Sequence, residues 1–204
     1  MLASWKQAFG EDRVLMDYDD PPGNPAANFI IDPQGWEEHR PTVLEEPIQV
    51  VHGHFRPAKY DLLKDAFRMT ILRHPVDNLI SIYCYWKKIP PQPNAVHQYF
   101  LANTLDVLGL ARLPIIRTLY RDTYFGGWDM GRLDFIGRHE SRADDLPRLA
   151  GMLGISIDTN LHLNATEPEG VNLEKETILA ESRLMDRLHD LLADDIHFYE
   201  KYTR

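Results

Sequence analysis

One stretch constrains this chain more than any other, Met69 to Trp86, which reads MTILRHPVDNLISIYCYW. An apolar run, Met69 to Leu72, meets Arg73, and Pro75 then opens an amphipathic segment carrying Leu79, Ile80, Tyr83 and Trp86. The pattern predicts a strand, a turn and a helix. Proline at the first helical position loses no hydrogen bond, because that amide has no partner in a helix anyway, and Asp77 in the first turn suits the positive end of the helix dipole. In open α/β sheets ligands sit beyond the carboxyl ends of the strands. Arg73 at a strand end and Ser81 two turns into the helix are therefore candidates to meet one anion, with phosphate the natural choice. Taken alone, the plain alternative is a salt-bridged arginine and an ordinary helical serine.

The rest of the chain builds around this unit. Leu2, Trp5 and Phe9 recur at helical spacing, which predicts a short helix stopping at Gly10. Asp17 to Gly35 is rich in Asp, Pro, Gly and Asn and reads as a long surface loop, with Asp17 to Asp20 as a solvated acidic cluster. Ile48 to Val51 reads as a β-branched strand running into His52-Gly53-His54-Phe55, and Pro57 to Ala66 as a short helix before a strand at Phe67 to Leu72. Prolines in KKIPPQPN break the chain after Trp86, and Ala95 to Leu108 then reads as one helix. Pro114 to Tyr124 is open between helix and irregular structure, and Phe125-Gly126-Gly127-Trp128 reads as a turn. Leu133 to Ile136 is a third strand, Ser141 to Leu153 a helix ended by Gly154, Asp158 to Gly170 a loop, and Leu173 to Tyr202 one or two amphipathic helices.

Strands alternating with helices predict an α/β, three-layer class with a parallel sheet. Only three strands are visible, so a further edge or central strand is expected. The 204 residues suit a single domain over 1–204, since domains run roughly 100–200 residues. Acidic residues outnumber basic ones, 31 to 22, for a net charge of −9. That balance argues against a nucleic-acid polymer or an anionic membrane as partner, and a bound anion requires a local basic pocket. Cys84 is the sole cysteine and lies in an apolar helix, which predicts a buried thiol and excludes an internal disulfide. With no long apolar run and no basic-then-apolar leader after Met1, the expectation is a cytoplasmic protein. Oligomeric state has no signature.

Four pieces in order resemble one family: VVHGHF at Val50 to Phe55, ILRHPVDNLISIYCYW at Ile71 to Trp86, DFIGRHESRADDLPRLAGMLGI at Asp134 to Ile155, and ADDIHFYEKY at Ala193 to Tyr202. The family is the PAPS-dependent sulfotransferases, in the carbohydrate branch typified by heparan sulfate 2-O-sulfotransferases and bacterial relatives. The resemblance implies a P-loop NTPase-like sulfotransferase fold. It also implies a cofactor, 3′-phosphoadenosine 5′-phosphosulfate (PAPS), with its product PAP, and transfer of a sulfuryl group to a hydroxyl of a carbohydrate or small-molecule acceptor. By position it makes Arg73 and Ser81 the binders of the 3′-phosphate, His54 the catalytic base and His52 its partner. Residues i and i+2 of a strand share a face, so both rings can address one pocket, and imidazole titrates near neutral pH.

Other assignments stay open between two readings. Arg138 in FIGRHES is either a cofactor contact or the salt-bridge partner of Glu140 or Asp144, and His162 and Asn164 belong either to a loop approaching the cofactor or to plain surface. His52 and His54 also fit a packed core pair or a metal site, although no third ligand is evident. Trp128, Tyr83, Tyr85 and Trp86 read first as core aromatics.

The chain departs from the family at its start. Such enzymes begin with a strand and a turn of the form P-K-T-x-x-T-S, whose amides and lysine hold the 5′-phosphosulfate. Here the only early lysine, Lys6, already falls in the first predicted helix. The expectation is a chain whose N-terminal strand and phosphate loop are absent, by truncation or by loss. A rival reading follows, a catalytically degenerate module that binds PAP or a glycan. A small kinase of another P-loop type fits less well, because HGHF and FIGR have no place in it.

Overall fold

The fourth strand, which periodicity did not reveal, is Val14–Asp17. In the computed structural model, which describes residues 1–18, 43–92, 94–157 and 169–204, this β1 runs parallel to β2 (Val50–Gly53), with Val14 opposite Val50 and Asp17 opposite Gly53. Val14 and Asp17 are buried while Leu15 and Met16 are exposed. The apolar pair thus lies outward and the acid inward, against the usual sign of the pattern. A second two-stranded sheet joins β3 (Met69–Leu72) to β4 (Phe135–Arg138), and both sheets are parallel. The structure is a mixed α/β fold, 59% helical.

The chain forms two compact units. The first comprises Met1–Ile71 with Gly127–Leu161, the second Leu72–Gly126 with His162–Arg204. In the first, α1 (Leu2–Phe9) ends at Gly10 as its sequence predicts. Trp5 and Val14 form a core with Phe135, Leu146, Leu149 and Ile157. The helix after β4 runs Arg142–Leu153 and stops at Gly154, whose φ of 65° is the left-handed conformation that glycine adopts without strain. The expected helix over Pro57 to Ala66 is only a 3₁₀ turn, Pro57–Tyr60, whose Lys59 and Tyr60 side chains both reach Asp17.

In the second unit the expected helix is present as Pro75–Trp86, with Pro75 at its first turn. Its buried residues, Val76, Leu79, Ile80, Tyr83 and Cys84, fall at the spacing of one helical face and meet Phe100, Leu110, Ile116, Ile178, Leu188 and Leu192 in the core. Cys84 is 1% exposed. The expected helix over Ala95 to Leu108 is two helices, Ala95–Ala102 and Val107–Ala111. Thr104 turns to a φ of 47° between them, and Asp106 caps the second by accepting from the Gly109 amide at 2.6 Å. His97, 1% exposed, holds the proline-rich link by donating from Nε2 to the Trp86 carbonyl at 3.0 Å and accepting the Gln92 amide at Nδ1.

The segment that sequence left open resolves into a short helix, Pro114–Arg117, and a six-residue π-helical turn, Leu119–Tyr124. The C-terminal region holds three helices, Glu169–Ala180, Ser182–Leu191 and Ala193–Thr203, where one or two were expected. Among the described residues no helix is long and apolar enough to cross a membrane. Most of the predicted Asp17 to Gly35 loop, and His162 and Asn164, lie outside the described residues.

Candidate functional site

The sequence-predicted residues fall in both units. In the first, the site grows from the carboxyl ends of β1 and β2. Gly53 faces Asp17 so closely that a Cβ on it would lie 1.7 Å from the Asp17 carbonyl oxygen. That oxygen accepts the His54 amide at 2.9 Å. The glycine of H-G-H is therefore dictated by the neighbouring strand, and the two histidines are held around one backbone contact. The strand occupies Val50–Gly53, two residues later than its β-branched run suggests, which puts His52 on the strand and His54 just past it.

Tyr18 joins the pair. Its ring stands edge-on to His52 at 5.6 Å and to His54 at 5.3 Å. His52 is half-buried and His54 exposed. Burial pushes the His52 pKa down to about 4, with smaller contributions from the positive charges of the Met1 amino group and of His54. Its imidazole is neutral at pH 7, with one nitrogen left as an acceptor.

Beneath them lies an ion pair. Asp17, at the end of β1, is 8% exposed and not the solvated residue that its acidic, proline-rich neighbourhood predicts. Lys59, 6% exposed, sits 2.7 Å from its Oδ2, and the Tyr60 hydroxyl donates to the same oxygen at 2.7 Å. Asp17 thus joins the strand end to the turn that follows the histidines. Trp128 is neither fully buried nor free: its Nε1–H donates to Asp61 at 3.1 Å, and the Arg132 guanidinium lies 5.2 Å over its ring. Arg138 ends β4 with its side chain exposed. Its backbone amide donates to Asp145 at 2.7 Å, while its guanidinium makes no ion pair with Glu140, Asp144 or any other described residue.

In the second unit, Arg73 follows the end of β3. The Tyr120 hydroxyl accepts its amide at 3.3 Å and donates to its carbonyl at 3.0 Å. Arg73 is half-buried, and its guanidinium is without an ion pair among the described residues. Ser81, on the second turn of Pro75–Trp86, is half-buried, and its hydroxyl likewise bonds to no described residue. Tyr120 is anchored in turn by Asp195, which accepts the amides of Tyr120 at 2.9 Å and Arg121 at 2.8 Å. Asp195 is 1% exposed, and burial raises its carboxyl to about 6 against the pull of those two N–H donors. His74 packs its ring on Tyr199 at 5.6 Å.

The chain matches no protein-family model, no curated protein and no solved structure. What the site can do therefore rests on its chemistry. No group of three or more His, Cys, Asp or Glu placed to hold a metal ion occurs among the described residues. A half-buried arginine without a counter-ion among the described residues suits a ligand anion, and an aromatic-walled histidine pair suits proton exchange with a hydroxyl. Sequence reading missed Tyr18, Asp17, Lys59, Tyr120 and Asp195. Asp195 lies within one of the four pieces that carry the resemblance and Asp17 ends an apolar run, but no spacing signals the other three.

Proposed function

We propose that this chain is a sulfotransferase of the PAPS-dependent kind, with the P-loop NTPase-like fold of that family, acting on a hydroxyl of a carbohydrate or small-molecule acceptor. The observation that carries the reading is Arg73. It stands half-buried at a strand end before a proline-started helix, its backbone fixed by a buried tyrosine and its guanidinium unpaired among the described residues. A partly buried cation without a counter-ion favours an anion beside it, and the guanidinium fork matches the oxygens of a phosphate.

The donor, when bound, supplies a sulfuryl group whose transfer, like phosphoryl transfer, depends mainly on positioning and charge stabilisation. Arg73 would hold the 3′-phosphate of PAPS or PAP, and Ser81 would add a hydroxyl donor. His54, exposed at the end of β2, accepts the proton of the acceptor hydroxyl. His52, neutral at pH 7, supports it across the Tyr18 ring, as a base near neutral pH requires. By the family resemblance Arg138, whose exposed guanidinium is unpaired among the described residues, is assigned to the nucleotide as well.

The alternative is a catalytically degenerate module that binds PAP or a glycan. Calorimetric titration of the purified chain with PAP tests both readings. Binding that Arg73→Ala abolishes is the expected result; no binding, or binding indifferent to that substitution, overturns the cofactor in both. Transfer from PAPS that is lost in His54→Ala then separates the enzyme from the module.

A further inference from the structure

We propose that Tyr120 is a positioning residue for Arg73, its hydroxyl standing in for a neighbouring strand on the residue where the β3 ladder ends. The inference rests on the PAP-binding reading above. Inside a sheet, each residue has its N–H and C=O satisfied by an adjacent chain; β3 ends at Leu72, and Arg73 is the first residue past it. One phenol serves both of its backbone groups, accepting from the amide and donating to the carbonyl. The Arg73 side chain gains no such support, since its guanidinium has no ion pair among the described residues. The direction in which Arg73 leaves the backbone is therefore set through its peptide.

The tyrosine is held firmly enough to do this. It is 7% exposed and lies in the π-helical turn Leu119–Tyr124, a winding frequent at functional sites. The first amides of any helical turn lack internal partners, and here the two carboxylate oxygens of Asp195 take those of Tyr120 and Arg121, one each. A chain of contacts thus runs from the last helix, Ala193–Thr203, through a buried carboxylate and a buried phenol to the peptide of Arg73. Every member belongs to the second unit.

The test compares PAP with 5′-AMP, which lacks the 3′-phosphate, in calorimetric titrations of wild type, Arg73→Ala, Tyr120→Phe and the double variant. Tyr120→Phe is expected to weaken PAP about tenfold while leaving 5′-AMP within about twofold, and the double variant to bind 5′-AMP as Arg73→Ala does. A general loosening of the fold would weaken both nucleotides alike and overturns the positioning role. So does a Tyr120→Phe chain that binds PAP as wild type does, with the PAP-binding reading intact. Wild type that fails to bind PAP, or Arg73→Ala that binds it normally, overturns the reading itself and this inference with it. Should Tyr120→Phe not fold, amide exchange of Arg73 in the wild-type chain decides: protection supports the brace, and exchange at the rate of an unstructured peptide overturns it.

Discussion

The two units fix their candidate residues by different means. In the first, side chains add to the strand's backbone contact in holding the histidines: the Tyr18 ring touches both, and the Asp17–Lys59 pair lies buried below. In the second, Arg73 is held through its backbone and its side chain is left unpaired among the described residues. The difference teaches which substitutions reach stability and which reach binding alone. A residue locked by side-chain partners takes the fold with it when removed. A residue locked by its peptide gives up its side chain cheaply.

The largest effect is expected at Lys59. Removing one partner of a buried ion pair leaves an uncompensated charge, so Lys59→Ala should destabilise the protein by about 3–5 kcal/mol in urea unfolding. A loss below about 1 kcal/mol would show that water reaches Asp17 and that the side-chain lock is illusory. In the second unit, Arg73→Ala should change stability by no more than about 0.5 kcal/mol while abolishing PAP binding. A large stability loss there would erase the contrast.

The next comparison uses pH. The folded-state pKa of His52 is depressed, from an ordinary 6.5 to about 4, so the unfolded chain takes up a proton that the native chain refuses. Stability from this group is present above pH 6.5 and is lost as pH falls towards about 4, by at most about 3 kcal/mol. Asp195 has the opposite sign. Its folded carboxyl is raised from 3.8 to about 6, so the native state holds a proton that the unfolded state has released, and stability falls as pH rises across that interval. Relative to wild type, His52→Gln should therefore gain stability as pH drops from 6.5 to 4, and Asp195→Asn should gain it as pH rises from 4 to 6. Urea midpoints at pH 4, 5, 6 and 7 read both slopes, and parallel slopes in the two variants would refute the assignment.

The smallest effect separates the two rings touching Tyr18. Tyr18→Phe preserves the edge-on contacts with His52 and His54 and should leave stability within about 0.5 kcal/mol, whereas Tyr18→Ala should expose His52 and let its pKa rise, measured by NMR titration of the imidazole.

Local chemistry made some of this legible in the sequence. The Pro75–Trp86 helix, the stop at Gly10 and the left-handed Gly154 follow from proline, glycine and apolar spacing acting within a few residues. The strand Val14–Asp17 does not, because its two central apolar residues are exposed and its acid is buried beside a lysine far along the chain. The break between Ala102 and Val107 turns on a single capping carboxylate, which propensity averaged over the segment hides. For the site, residue type and spacing singled out Arg73, Ser81, His52, His54 and Arg138. What holds them, Tyr120, Asp195, Tyr18 and the Asp17–Lys59 pair, is long-range in sequence and carries no local mark.

The sole cysteine turns the second unit into its own timekeeper. Cys84 lies on the inner face of Pro75–Trp86 at 1% exposure, so a thiol-specific reagent can reach it only when that helix lifts from its core. The labelling rate, compared with that of the unfolded chain, counts openings of this unit by a covalent record, with no background from any other thiol. Saturating nucleotide should slow the clock if the ligand is gripped by Arg73, at the head of the same helix.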